Sequence, residues 1–323
     1  LLKGAIAMKK KAGPGRRLAS VLNRDNVAGY VFILPFIIGL LVFTLIPFLT
    51  SLYLSFTEYN VLSPAKWIGL DNYKEMFFED PLFWTSFKVT FKFAFIQVPI
   101  KLTVALLVAL VLAKATKATS FYRAAFFIQV PIKLAVSLLV ALILAKATRL
   151  TGFYRSAFYI PSLMGGSVAI ALLWKQLFSP NGVINQILGA LGLPDDTAWL
   201  GDPKTALGTL IALGVWQFGS SMLIFLAAIK NIPYSYHEAA IVDGAGPVRR
   251  FFAITLPMLT PIIFFNLINQ VIGAFQAFNS SYLITQGKPL NTTLYYGVHL
   301  YNKAFDQFEM GYGCAMAWFM LLV

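Results

Sequence analysis

Long, uninterrupted runs of apolar residues dominate the chain, and short polar segments separate them. A helix needs about 20 predominantly apolar residues to cross a bilayer. Seven runs are candidate spans: Ala28–Phe56, Trp84–Ala113, Ala124–Ala145, Ser156–Phe178, Thr205–Ile229, Phe251–Phe275 and Tyr312–Val323. Because the runs are continuous and do not alternate with period two, they indicate helices rather than a membrane β-barrel. The last run is short, and we expect the rest of its helix and a cytoplasmic tail to follow.

One apolar helix and its basic loop occur twice in tandem. Residues 95–126 and 127–158, aligned at an offset of 32, agree at 25 of 32 positions. Two copies do not make a solenoid. The repeat can be natural, engineered or an artefact of the sequence, and one copy can lie at the membrane interface or pack as a partial helix. The pattern does not decide among these alternatives.

The charged residues predict the orientation of the spans. Basic residues cluster before the first span, in both Lys-Ala-Thr loops and at Arg249 and Arg250, whereas ten of the thirteen acidic residues lie at 57–83, 179–204 and 279–311. Since cytoplasmic loops carry the excess of Lys and Arg, residues 1–27 are predicted to be a basic cytoplasmic segment and residues 28–323 the membrane domain. Six core spans keep every basic cluster inside, whereas a seventh would place Arg249 and Arg250 outside. We therefore predict an all-α, polytopic bundle of six core helices plus the duplicated segment.

The composition supports this class and limits the chemistry. The chain has 323 residues, of which 58% are hydrophobic and 12% charged, against about 25% charged in soluble domains; its mean hydropathy is +0.72. One cysteine and two distant histidines leave little for a metal site, and no phosphate-binding P-loop occurs. Because the net charge of +13 follows the loops, we predict no nucleic-acid partner. No catalytic residue, metal or cofactor is expected on this chain.

Residues 230–261 join two predicted spans and read KNIPYSYHEAAIVDGAGPVRRFFAITLPMLTP. Ser235 and Glu238 have the spacing of a capping box, which predicts a helix beginning at Ser235. Gly244 is placed to end this helix in the left-handed conformation that glycine tolerates best, and a new helix is expected to start near Val248. A short, rigid cytoplasmic helix between two spans is the prediction.

This segment resembles a known motif. The stretch from Glu238 to Gly246, followed by Leu256-Pro257, is similar to the EAA loop of permease subunits in binding-protein-dependent ABC importers. The stretches Trp67–Tyr73 and Phe153–Pro161 resemble the maltose-type oligosaccharide permeases. The resemblance covers residues 28 to 323. It implies the ABC type I importer permease fold, with residues 231–250 as the cytoplasmic coupling loop.

The resemblance also implies a function and partners. The chain would be the permease subunit of an ATP-driven oligosaccharide importer, multi-pass in the bacterial inner membrane with a cytoplasmic N-terminus. It would act with a second permease subunit, a dimer of ATP-binding subunits and an extracytoplasmic solute-binding protein. ATP and Mg would belong to the ATPase, so this chain would not be an enzyme. The implied ATPase-coupling residues are Glu238, Ala239, Ala240, Asp243 and Gly244.

Two alternatives stay open from the residues. A secondary, ion-coupled transporter predicts inverted halves and ionisable residues at mid-membrane, and neither inverted halves nor buried acidic residues are visible. An ABC permease for a non-sugar solute would share the EAA loop and differ in the lining of its path. Within the oligosaccharide branch, the resemblance extends to permeases for uronide-containing glycans such as alginate or pectin fragments, but the net charge does not support an acidic sugar.

Polar side chains follow one face of the predicted span Phe251–Phe275 and continue beyond it. Asn and Gln recur there at helical spacing, and amides at membrane depth are costly unless they find partners or line a wet cavity. They can therefore hydrogen-bond sugar hydroxyls in a translocation path or join helices, and we favour the path. The candidate path residues, with two aromatic side chains, are Asn266, Asn269, Gln270, Gln276, Asn279, Trp216 and Tyr282.

Lys101 and Lys133 hold equivalent positions in the two copies, inside the apolar run. An ionisable group at that depth is a candidate functional residue, and one facing an acidic substrate is conceivable here. The alternative is that the helix tilts and the lysine extends its ammonium group to the outer interface. We favour this alternative, because the Pro-Ile-Lys stretch precedes the most apolar part of the helix.

Overall fold

A computed structural model describes residues 25–113 and 151–323 of the chain, and most of this part is helical. The predicted span Ala124–Ala145, Lys133 and most of the basic N-terminal segment lie outside the described residues. In chain order the helices are α1 Asp25–Leu40, α2 Ile46–Leu54, α3 Asp71–Lys74, α4 Pro81–Ala113, α5 Thr151–Met164, α6 Val168–Leu177, α7 Val183–Ala190, α8 Ala206–Trp216, α9 Gly219–Lys230, α10 Tyr234–Val242, α11 Pro247–Arg250, α12 Leu256–Phe275, α13 Asn279–Ile284, α14 Tyr296–Tyr301 and α15 Met310–Leu322.

Three stretches are long and apolar enough to cross a membrane, and each matches a predicted span. They are Ile33–Leu54, Pro81–Ala113 and Pro247–Phe275. The helix α15 is apolar but shorter. Counting each of two bent helix pairs as one span raises the number to five within the part of the chain that the structure describes.

The two bent pairs correct the predicted spans Ser156–Phe178 and Thr205–Ile229, which were expected to be single helices. α5 and α6 meet at an angle of 100°, and α8 and α9 at 41°. The first break falls at Gly165-Gly166, and Ser167 then caps α6 by accepting a hydrogen bond from the backbone N–H of Ile170. A run of apolar residues predicts burial in the bilayer, but it does not predict a break in the helix.

Two of the membrane helices contain a π turn shortly before a proline. Leu41–Leu45 separates α1 from α2, and Phe251–Thr255 separates α11 from α12. Pro47 and Pro257 each stand two residues after the turn. Proline has no N–H to donate and its ring collides with the carbonyl four residues earlier, so the wider π turn lets the helix continue through that position.

The chain forms two compact units. One contains the described residues up to Met76 together with Lys303–Val323. Its small antiparallel pair, β1 Thr57–Glu58 and β2 Lys66–Trp67, lies beside α3, from which Asn72 Nδ2 donates to the carbonyls of Ser55 and Thr57. In this unit α15 packs against α2.

The second unit is Phe77–Asn302, and α4 runs through its centre. α4 packs against α8, α9 and α12, and its small residues Ala105 and Ala109 are fully buried. Small residues let membrane helices approach closely. Gly219 does the same where α9 meets α5, since a Cβ atom there would collide with the Phe158 carbonyl. This packing brings the polar residues of several helices to one place.

Candidate functional site: a polar cavity and an exposed helix

A polar cavity of about 410 Å³ lies inside the second unit. Its walls come from α4, the break between α5 and α6, the end of α8, and the junction of α12 with α13. The volume falls within the range of about 300–1,000 Å³ that is typical of small-molecule pockets. The polar side chains that line it are Gln97, Lys101, Gln217, Gln270, Gln276, Asn279 and Ser280.

Three of the predicted path residues line this cavity, namely Gln270, Gln276 and Asn279. Asn266 and Asn269 do not, although they share the helical face of Gln270 in sequence. Their amide nitrogens instead donate to carbonyls one turn earlier in α12, those of Ile262 (3.2 Å) and Phe265 (2.8 Å). Asparagine can satisfy its donor in this local way, so an amide inside a span does not by itself indicate a path.

The two predicted aromatic residues also lie away from the cavity lining. Trp216 packs against Trp174, with 6.0 Å between ring centroids. Tyr282 stacks on Phe278 at 4.8 Å. The aromatic rings that do line the cavity are those of Phe93 and Phe278. Tyr282 is therefore one ring removed from the lining, through its contact with Phe278.

Lys101 corrects the expectation that its side chain reaches the outer interface. Only 9% of the residue is exposed, and it lines the cavity. Gln97, one turn earlier on the same face of α4, lines the cavity with it and is also buried. The signal in the sequence is the spacing of four residues between Gln97 and Lys101, which puts both on one face of the helix.

The backbone break between α5 and α6 supplies the other side of the cavity. Gln217 Nε2 donates to the carbonyl of Gly165 (3.3 Å), and Asn279 Nδ2 donates to that of Gly166 (3.2 Å). Backbone that is not helical is tolerated at membrane depth only where it is buried in protein or lines a wet cavity. The break is therefore held by amides that come from two other parts of the chain.

The predicted cytoplasmic helix is present as α10, but it begins one residue earlier than expected. Pro233 is the N-cap and no side chain caps the helix. Ser235 lies inside the helix, where its hydroxyl cannot occupy the position of a capping side chain. The predicted capping box of Ser235 and Glu238 is therefore wrong, and Glu238 is left exposed.

Gly244 ends α10 in the left-handed conformation, as predicted, with a φ of +73°. The backbone N–H of Ala245 donates to the carbonyl of Ala240 (2.8 Å), and that of Gly244 to the carbonyl of Ile241 (3.0 Å). This pair of bonds is a Schellman motif. A new helix begins at Pro247, close to the expected Val248.

α10 has no buried face in the described part of the chain. None of its residues is buried, and Tyr234 and Val242 are 66% and 87% exposed. Of the predicted coupling residues, Glu238, Ala239, Asp243 and Gly244 are exposed and Ala240 is half-buried. A short helix with exposed apolar side chains between two membrane helices is typical of a surface that contacts another protein.

Comparison with known proteins agrees with this arrangement. Residues 135–323 match the family of binding-protein-dependent transport system inner membrane components. The chain is 48% identical to the probable ABC transporter permease protein YesP of Bacillus subtilis (strain 168), over 99% of this chain and 91% of that protein. It is 33% identical to the lactose transport system permease protein LacF of Rhizobium radiobacter, over 89% of this chain and 86% of that protein.

A solved structure shows the same fold. It is the crystal structure of a bacterial ABC transporter involved in the import of the acidic polysaccharide alginate, with a TM-score of 0.70 and 22% identity. The match covers 95% of each chain.

The protein is thus a helical membrane permease of the type I importer fold. The chain belongs to the family of binding-protein-dependent transport system inner membrane components, and it is a permease subunit of an ABC transporter.

Proposed function

We propose that this subunit imports an oligosaccharide, which passes through the polar cavity of the second unit. The observation that carries the proposal is the lining itself. Four glutamines, one asparagine and one serine surround a space of about 410 Å³. Amides and hydroxyls both donate and accept hydrogen bonds, so they match the hydroxyl groups of a sugar.

The relatives support a sugar as the solute. LacF is named for lactose, and the transporter of the solved structure for the polysaccharide alginate. Phe93 and Phe278 add apolar surface to the lining of the cavity. A pocket with apolar walls and a few convergent polar groups is the usual form of a small-molecule site.

We further propose that α10 is the contact with an ATP-hydrolysing partner. Small residues at Ala239 and Ala240 permit close approach, and the exposed carboxylate of Glu238 is available to a basic partner. The backbone cap at Gly244 fixes the direction in which the chain leaves α10. A movement of the partner would therefore reach α11 and α12 through a rigid link.

The remaining partners complete the assembly. A second permease subunit, a dimer of ATP-binding subunits and an extracytoplasmic solute-binding protein would join this chain in the bacterial inner membrane. The N-terminus would be cytoplasmic, since residues 1–27 carry a basic cluster and the positive-inside rule applies. ATP and Mg would bind the partner subunits.

Gly244→Val tests the coupling role. A β-branched residue opposes the left-handed conformation, whereas nothing lies within 4 Å of a Cβ atom placed at this position. The change should distort the exit of α10 without disturbing any packing. We expect loss of both oligosaccharide uptake and ATP hydrolysis stimulated by the binding protein, with normal amounts of protein in the membrane.

The matched control is Gly246→Ala. Gly246 has a φ of −66°, which alanine adopts without strain, and it too has open space around it. This variant should transport like the wild type. Uptake that survived Gly244→Val would contradict the coupling role, and a wild-type complex that moved no oligosaccharide would contradict the proposed function.

A further inference from the structure

Lys101 is the charged residue of the cavity lining. The residue is 91% buried from solvent, as its 9% exposure shows, and it lies in the part of the second unit where Gln97, Gln217 and Gln270 converge. No residue of the lining is acidic. Within residues 25–113 and 151–323, the ion pairs are those of Lys74, His299 and Lys303, so the Lys101 ammonium has no carboxylate partner there.

A buried charge without a partner is costly. Taking an ammonium group out of water carries a penalty that only an opposite charge or several hydrogen bonds can offset. Intramembrane lysines are rare for this reason, and they mark substrate pathways when they face a cavity. The hydroxyl oxygens of a neutral sugar can accept hydrogen bonds from the ammonium group, but only an anionic sugar also supplies the opposite charge.

The surroundings of Lys101 are arranged for an anion. Gln97 lies one turn earlier on the same face of α4, where its amide can donate to the same ligand. Gly214 of α8 makes room for Gln97, because a Cβ atom there would overlap the Gln97 amide. An ammonium and an adjacent amide donor form a charge-assisted pair for one carboxylate group.

We propose that Lys101 is a specificity residue for acidic oligosaccharides, whose uronate carboxylate it binds in the cavity while the amides bind the hydroxyls. The inference rests on the proposed function and adds to it the charge of the sugar. A single lysine also suits a transporter, because it is a point charge on a flexible chain rather than a rigid two-pronged clamp. It can attract the carboxylate and still release it.

The test compares Lys101 variants on matched substrates. Cells that produce the complete transporter, with its binding protein and ATPase, are offered trigalacturonate, trimannuronate, the methyl esters of both and maltotriose. Lys101→Gln should lower uptake of the acidic trisaccharide by about tenfold or more, because it removes one charge-assisted bond. Uptake of the esters or of maltotriose should not fall. Lys101→Arg should restore acidic uptake in part, and Lys101→Glu should abolish it.

Lys88→Gln is the matched control. Lys88 lies on the same helix, is exposed and does not line the cavity, so the same loss of charge there should leave uptake unchanged. A fold defect in Lys101→Gln would lower acidic and neutral uptake together, which the comparison within one variant would reveal.

Each outcome decides one of the two ideas. Three outcomes would overturn the role of Lys101 and leave the proposed function standing. The wild type could take up neutral but not acidic trisaccharides, Lys101→Gln could take up acidic trisaccharides as well as the wild type does, or Lys101→Gln could lose uptake of both kinds of sugar equally. A wild-type complex that takes up none of the sugars would overturn the proposed function and this inference with it.

Discussion

At the scale of single residues, the cavity depends on where glycine leaves room for amide side chains. The carbonyl of Gly165 accepts from Gln217, and the carbonyl of Gly166 from Asn279. The two glycines differ in their surroundings. A Cβ atom on Gly165 would overlap the amide group of Gln217, whereas a Cβ atom on Gly166 would lie 3.7 Å from Asn279 Nδ2. A side chain at Gly165 would therefore disturb the cavity more than one at Gly166.

Gly165→Ala should weaken transport more than Gly166→Ala does. The first change pushes the Gln217 amide away and breaks its bond to the backbone, a loss of about 0.5–1.5 kcal/mol, which also removes a donor from the cavity. The expected result is a raised KM for uptake with normal expression. Gly166→Ala, with an ordinary contact distance, is the control. Equal kinetics of the two variants would contradict the assignment of Gln217 to the cavity wall.

At the scale of helices, the sequence predicted the positions of the described membrane spans better than their shapes. The apolar runs predicted the described spans because the cost of placing polar groups in a bilayer depends on composition alone. The bend of 100° between α5 and α6 could not be predicted, because Gly165-Gly166 is also compatible with a continuous helix. The bend depends on Gln217 and Asn279, which donate hydrogen bonds to the carbonyls of these glycines. Whether Lys101 lies at the lipid surface or in the cavity depends likewise on residues distant in sequence, such as Gln217 and Gln270.

Gly219→Ala should destabilise the protein through the contact of α9 with α5. The new Cβ atom would meet backbone atoms of Phe158 and Tyr159, which cannot move as a side chain can. Overpacking of this kind costs about 1–3 kcal/mol. Thermal unfolding in detergent should show a lower midpoint for Gly219→Ala than for the wild type.

Gly208→Ala serves as the comparison, since that position in α8 has open space around it. Alanine favours a helix over glycine by about 0.5–1 kcal/mol. The melting temperature of Gly208→Ala should therefore equal or exceed that of the wild type. A similar decrease for both variants would show that close packing at Gly219 is not the cause.

At the scale of the whole molecule, the duplication is the feature that an arrangement of six spans does not explain. The described residues hold three full spans, two bent pairs and the short helix α15, which together account for the six predicted segments without residues 114–150. The two copies also end alike, with Phe-Tyr-Arg-Ala-Ala-Phe before residue 127 and Phe-Tyr-Arg-Ser-Ala-Phe before Tyr159.

Deletion of residues 127–158 should therefore retain uptake. The deletion joins Phe126 directly to Tyr159 and replaces the end of one copy with the nearly identical end of the other, so α5 keeps its sequence at all but one of those six positions. Deletion of 95–126 yields almost the same chain and is the control. Loss of uptake in both shortened proteins would mean that the second copy is required.

The π turns before Pro47 and Pro257 let the membrane helices tolerate the loss of one residue, which an ordinary α-helix does not. In an α-helix, adding or removing one residue rotates everything beyond it by about 100°, and a lining residue such as Gln270 would then face elsewhere. A π turn already holds one residue more than an α turn, as the bond from the Leu256 N–H to the Phe251 carbonyl shows. Losing a residue within Phe251–Thr255 would turn that segment into ordinary α-helix and leave the phase of α12 unchanged. The length of this helix can therefore drift during evolution while its lining stays in place.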